Sequence, residues 1–268
     1  MDKKFIKIFD EEVFYVEENT GKEKVLFLHG FNSSHNFAQQ LYLLKNRNYD
    51  VVAIDFPGCG KSSANSEITI EYYQKIAQEF VKQINYNFKL VVGHSLGGAS
   101  ALYLLNSKMV NYALLAAPIN YNILSAKLDE TTEKLKRWLI PSNLNDAIES
   151  SENLVFNNKN GYKENLNKIA TMFLKITKFK ERNFLKLVTN QIINPNYLKK
   201  EIKKLYTQSN NYEFIIGIND MFVPFMSVAK IANDLNKNLS AISNCGHAIF
   251  FEKPEQVNEK INKLISSL

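Results

Sequence analysis

Lys89-Leu90-Val91-Val92-Gly93-His94-Ser95-Leu96-Gly97-Gly98-Ala99 is the stretch whose reading decides the fold. Residues 90–93 read as a short buried strand, and residues 93–97 spell G-x-S-x-G. Small residues follow (Gly98, Ala99, Ser100, Ala101), then the helix-forming run 102–105. A strand that turns sharply into a helix holds the residue at its tip in a strained backbone conformation. Glycines two before and two after leave room for that turn, because a Cβ at either place meets the neighbouring strand or helix. The Ser95 hydroxyl is then exposed at the C-terminal edge of a sheet. The Leu96 N–H sits at a helix N-terminus, where it can face a developing oxyanion. The same letters also fit a tight β–α turn that merely needs glycine. The partners of a serine nucleophile discriminate between the two, in the chain order Ser, acid, His.

Working outward, residues 25–28 and 51–54 are continuous apolar runs, which read as strands buried on both faces. Residues 5–9 and 13–16 alternate apolar and polar around an acidic turn and predict an antiparallel hairpin. A helix is expected over roughly 34–45, with Phe37, Leu41 and Leu44 on one face. Thr69 can cap another, along which Ile76, Phe80 and Ile84 form the apolar face. Downstream, a strand over 112–116 stops at Pro118, and a strand over 214–218 ends at Asn219-Asp220. Pro224 is placed in the first turn of a helix reaching about residue 235. A last strand, 239–242, leads to Asn244-Cys245-Gly246-His247, and Pro254 opens a terminal helix that buries Val257, Ile261 and Ile265.

Between residues 119 and 206 the pattern changes. No strand is evident, and helical faces follow one another: Leu128/Leu135/Leu139, then Leu166/Ile169/Phe173/Ile176, then Leu198/Ile202/Leu205, punctuated by Pro141 and Pro195. Strands alternating with helices predict an α/β fold with a mostly parallel sheet covered by helices on both faces. Residues 1–118 and 207–268 are expected to form the core domain, with 119–206 inserted as a helical cap. Function is expected at the C-terminal ends of the strands.

The 268 residues are 45% hydrophobic and 22% charged, which suits one α/β domain with an insertion. Two cysteines, Cys59 and Cys245, make no disulfide framework, and no Cys/His spacing reads as a metal site. Both lie in strand-end loops, where they could be near the expected site mouth, and are predicted to be free thiols. A reducing cytoplasm is the simplest location: the N-terminus is too short and charged for a signal peptide, and no apolar run has the ~18 residues of a membrane span.

Three residues end strands in the order the chemistry needs: Ser95, Asp220 and His247. A serine hydroxyl is a poor nucleophile until an imidazole removes its proton. The imidazole in turn needs a carboxylate on its other nitrogen, to fix its tautomer and stabilise the imidazolium. Asp220 alone also fits a loop or capping residue, and His247 alone an ordinary polar residue. Of four histidines, however, only His247 lies downstream of Asp220.

With these residues the chain resembles the α/β-hydrolase superfamily, in particular its lipase/esterase-like members with an inserted cap. The resemblance is carried by His29-Gly30-Phe31, by 55–62 (Asp-Phe-Pro-Gly-Cys-Gly-Lys-Ser), by 93–98, by Gly217-Ile218-Asn219-Asp220 and by Gly246-His247. It implies Ser95 as nucleophile, Asp220 as acid, His247 as base, and an oxyanion hole from the backbone N–H groups of Phe31 and Leu96. It also implies that His29 and Gly30 support the oxyanion loop. No cofactor or metal is expected. Relatives that open carbon–halogen bonds or epoxides carry Asp where this chain has Ser95, and proline-iminopeptidase relatives typically have Trp where it has Leu96.

Residues 55–62 also approach a phosphate-binding loop, but Asp55 replaces its first glycine and no helix pattern follows. The expected activity is hydrolysis of carboxylic esters, on a small-molecule or lipid substrate, with no nucleic-acid partner and the oligomeric state left open. An aminopeptidase, a carbon–carbon bond hydrolase and a non-catalytic receptor on the same fold are the alternatives. The net charge of +6 is unevenly spread: 119–206 holds 16 Lys and Arg against 9 Asp and Glu. That excess reads either as a solvated lysine-rich surface, or as a cap that steers anionic substrates or touches anionic lipid weakly.

Overall fold

The structure, a computed structural model, describes residues 1–124 and 128–268. Residues 125–127 of the expected cap, and the Leu128 side chain of its first apolar face, lie outside the described residues. Eight strands form one sheet: β1 (Asp2–Ile8), β2 (Glu11–Glu17), β3 (Glu23–Leu28), β4 (Tyr49–Ile54), β5 (Leu90–His94), β6 (Tyr112–Ala116), β7 (Tyr212–Gly217) and β8 (Leu239–Ile242). Their order is β1-β2-β4-β3-β5-β6-β7-β8. The β1–β2 hairpin joins β4 antiparallel, and every later pairing is parallel.

The apolar runs are buried on both faces because successive side chains alternate sides. Leu26, Leu28 and Val91 face one layer with α2 (Ile70–Ile84), α3 (Gly97–Asn106) and α9 (Phe225–Asp234). Val25, Phe27 and Val92 face the other, with α1 (Gln39–Tyr42), α10 (Ile249–Glu252) and α11 (Pro254–Ser267). The Thr69 hydroxyl accepts from the Tyr72 N–H at 3.0 Å, capping α2 where its sequence placed the start.

From β6 to β7 the described chain is helical: α4 (Leu128–Leu139), α5 (Leu144–Leu154), α6 (Leu166–Leu187), then the short α7 (Pro195–Tyr197) and α8 (Lys203–Thr207) among π-helical turns. The 144–154 helix escaped the sequence reading, although Asn143 caps it by accepting from the Asp146 N–H. The helix expected over 34–45 is instead a 3₁₀ turn, His35–Ala38, followed by the single turn α1. Asp55 accounts for the tight start, taking both the His35 N–H and its Nδ1–H. Pro224 caps α9 rather than entering its first turn.

Asp55 also settles the phosphate-loop question. Its buried carboxylate fills the 55–62 turn, accepting the Lys61 N–H at 2.8 Å, and a Cβ on Gly60 would lie 1.9 Å from Asp55 Oδ2. Burial pushes this carboxyl upward, but the hydrogen bonds from His35 and Lys61 outweigh it and hold its pKa below the ordinary value. The space a phosphate needs is occupied, and the next helix after this turn begins only at Ile70. Among the described residues, no helix is long and apolar enough to cross a membrane.

Candidate active site

Ser95 stands between β5 and α3 with φ +52°, a left-handed conformation that costs a non-glycine residue energy. Hydrogen bonds on both sides hold it there. Its N–H donates to the Ala116 carbonyl at 2.9 Å, and its carbonyl accepts from the Gly98 and Ile119 N–H groups, each at 3.0 Å. The flanking glycines are required by space: a Cβ on Gly93 would lie 2.7 Å from the Ala101 Cβ, and one on Gly97 would lie 2.3 Å from the Leu28 carbonyl oxygen.

Asp220 follows β7. Its Oδ1 accepts from the Phe222 and Val223 N–H groups at 2.9 and 2.8 Å, which fixes the carboxylate. Its Oδ2 accepts from Nδ1 of His247, in the loop after β8, at 2.8 Å. That bond assigns the proton to Nδ1 and leaves the Nε2 lone pair as the basic site. Both residues are buried, and the Phe222 ring stacks on the imidazole at a centroid distance of 5.2 Å. Among the described residues the Ser95 hydroxyl makes no hydrogen bond; Ser95 and His247 line one cavity.

The His29-Gly30-Phe31 loop lies beside the elbow. His29 Nδ1–H donates to the Gly30 carbonyl at 2.7 Å, and its Nε2 accepts the Phe56 N–H at 2.9 Å. Complete burial lowers its pKa to about 4, so the ring is a neutral strut between two loops. Among the described residues, neither the Phe31 nor the Leu96 N–H has a protein acceptor. Both residues, with Ser95, line a small second chamber of about 30 Å³.

The main cavity, of about 340 Å³, opens over Ser95 between the sheet edge and α4, α5 and α6. Its walls are mostly apolar, including Phe37, Trp138, Leu154, Phe173, Phe222 and Phe250. Asn32, Ser33, Ser150, Ser151 and Tyr162 add polar groups, and among the described residues no Asp, Glu, Lys or Arg lines it. Phe37 and Phe173 stand on apolar helix faces that the sequence shows, whereas the other wall residues were missed, because nothing in their spacing ties them to a site. His94 was the one most open to discovery, since it lies inside the elbow motif; its Nε2–H donates to the His247 carbonyl at 3.0 Å. Glu252 was also missed. It is buried and accepts the Gly246 N–H at 2.7 Å and the Phe156 and Asn157 N–H groups at 3.1 and 2.9 Å, tying the His247 loop to the segment after α5.

Cys59 and Cys245 are free, as expected, and buried, and neither is among the residues that line the cavity. Cys59 is packed against the Tyr73 hydroxyl, and Cys245 against the Gly246 carbonyl. Burial pushes their thiols up to about 11 and about 12. Among the described residues there is no group of His, Cys, Asp and Glu able to hold a metal ion.

Residues 24–254 match the family described as alpha/beta hydrolase fold. A Mycoplasma genitalium protein named "Putative esterase/lipase 2" is 25% identical over 270 residues, covering 96% of this chain and 94% of that protein. Among solved structures, a membrane phospholipase A described as a bacterial virulence factor superposes with a TM-score of 0.81 at 19% identity, over 99% of this chain and 86% of that one. A serine hydrolase from Cycloclasticus zankles does so with a TM-score of 0.80 at 19% identity, over 99% and 98%. At those identities the structural likenesses speak for the fold alone. The family match spans most of the chain, and the strand order, the elbow and the parallel sheet agree with it: this chain belongs to the α/β-hydrolase fold family.

Proposed function

We propose that this chain is a serine hydrolase of carboxylic esters, with Ser95 as nucleophile, His247 as general base and Asp220 as its orienting carboxylate. The observation that carries the reading is the 2.8 Å bond from His247 Nδ1 to Asp220 Oδ2, with Ser95 at positive φ on the same cavity. In this reading His247 Nε2 takes the Ser95 proton as Oγ attacks the ester carbon. The Phe31 and Leu96 N–H groups receive the oxyanion. Collapse expels the alcohol, protonated by His247, and leaves an acyl group on Ser95. Water, deprotonated by the same imidazole, then releases the acid. Residues 119–206 act as a cap whose helices wall the acyl chamber.

The cavity walls support a neutral, largely apolar substrate. An aminopeptidase needs a carboxylate for its substrate's ammonium group, and among the described residues none lines the cavity. Among the described residues the cavity wall also carries no cation, which argues against steering an anionic substrate into the chamber itself. The esterase/lipase name of the mycoplasma relative supports the choice of ester over other bonds.

The test is fluorophosphonate labelling combined with hydrolysis of p-nitrophenyl esters. Wild type should be labelled at Ser95 and should turn over esters. Ser95→Ala and His247→Ala should each lose several orders of magnitude in kcat, with the double variant little worse than either single one. Retention of most ester turnover in Ser95→Ala would overturn the assignment.

A further inference from the structure

We infer that α6 carries a docking surface for an anionic lipid bilayer. Met172, Ile176 and Phe179 are 62%, 39% and 88% exposed, and Phe179 is the most exposed large apolar side chain among the described residues. Spacings of four and three place these three on one stripe of the helix. Single exposed apolar residues are ordinary, whereas a contiguous row is the mark of an interaction surface.

A second row runs beside the first. Lys168, Lys175, Arg182 and Lys186 recur at intervals of seven, seven and four, so they too share a stripe. Only Lys186 among them has an ion-pair partner, Glu67, and that pair is solvent-exposed. Lys168, Lys175 and Arg182 have none among the described residues. The whole helix holds six Lys or Arg against the single Glu181. At about 100° per residue, the apolar stripe lies between this cationic row and the side of Ile169 and Phe173. Ile169 and Phe173 line the main cavity, so apolar surface continues from the exposed stripe round to the cavity wall.

Charge selects the occupant. A second copy of the chain docking through this helix would bring two strongly cationic rows together, which is repulsive. An anionic bilayer satisfies both rows: the apolar side chains enter the headgroup boundary while the cations meet lipid phosphates. The 22-residue helix, about 33 Å long, would lie in the plane of the surface. The surface stands apart from the chemistry proposed at Ser95, and binding measured on Ser95→Ala protein separates the two.

Full-length Ser95→Ala protein is sedimented with vesicles of phosphatidylcholine, with and without phosphatidylglycerol. Binding should be at least about tenfold tighter with phosphatidylglycerol and should weaken as salt rises. Met172→Ser/Phe179→Ser, and separately Lys168→Glu/Lys175→Glu/Arg182→Glu, should each reduce it by about tenfold or more without lowering the melting midpoint. A Phe179→Trp variant should show a blue-shifted emission on phosphatidylglycerol vesicles alone, a readout indifferent to the fate of the multiple variants. Equal binding to both vesicle types, unshifted emission from the Phe179→Trp variant, or a dimer in size-exclusion chromatography that Phe179→Ser dissolves would overturn the inference.

Discussion

His94 Nε2–H donates to the carbonyl oxygen of His247 across 3.0 Å, so the residue before the proposed nucleophile holds the backbone of the proposed base. The two rings lie 4.8 Å apart, and His94 is stacked on Phe37 and edge-on to Phe250. Burial pushes the His94 pKa down to about 3, so it serves as a neutral donor and not as a second base. Among the described residues its Nδ1 is buried without a partner. The elbow and the base loop are thereby one unit, although 153 positions separate them in sequence.

His94→Phe keeps a stacked ring and removes the donor. With the His247 carbonyl released, the imidazole should lose its register with Ser95, and kcat should fall by about tenfold to a hundredfold while KM stays within about twofold. The fluorophosphonate labelling rate should fall in parallel. Unchanged kcat and labelling would mean that the bond does not position the base.

The same histidines make stability depend on pH. His29 and His94 have folded pKa values of about 4 and about 3, below the unfolded value of 6.5. As pH falls below about 6.5, the unfolded chain takes up protons that the folded chain refuses, and stability is lost. Each such histidine contributes a slope of about 1.4 kcal/mol per pH unit. Urea unfolding between about pH 6 and about pH 4 should therefore give wild type a slope steeper by that amount than His94→Phe. Parallel slopes would show that His94 protonates freely in the fold.

Much of this arrangement was legible in the sequence. The elbow, the strand-end acid and the last histidine are local patterns, each marked by glycine or proline and by an apolar run. The strands β3, β4 and β5 each carry a continuous apolar run, legible because that run is buried on both faces. The contacts that bind the site together are not local. Glu252 meets Gly246 and Asn157, and Asn32 meets Thr177 and Lys180, only because the chain has folded. The α5 helix has a capping residue but a weak apolar face, and the turn at His35 is shortened by a carboxylate 20 positions away.

Glu252 offers a test of that long-range coupling. Its carboxylate takes backbone N–H groups from Gly246, Phe156 and Asn157, so Glu252→Ala strands three donors in a partly buried place. The expected loss is about 2–4 kcal/mol of unfolding free energy. It should be accompanied by a lower kcat, because Gly246 precedes His247. Glu252→Gln, which retains one acceptor oxygen, should recover part of both. A stability within about 0.5 kcal/mol of wild type for Glu252→Ala would remove Glu252 from this account.

The two chambers that meet at Ser95 differ about tenfold in volume, at about 340 and 30 Å³, and this asymmetry predicts substrate shape. An ester carbon held at Ser95 must send its two substituents in different directions, and only one direction has room for a chain. The large chamber is placed to take the longer group and the small one, walled by Ile119, Ile123, Leu135 and Ile192, a group of one or two carbons. Filling the large chamber with Leu154→Trp should shift the optimum of an acyl-length series towards shorter esters, with little change for acetate. Leu154 is only part-buried, so the added ring need not strain the core. Ile123→Ala should enlarge the small chamber and raise kcat/KM for esters bulkier on the opposite side of the carbonyl, by about tenfold for one extra carbon accommodated. If Leu154→Trp lowered activity equally at every acyl length, the large chamber would not be the seat of the chain.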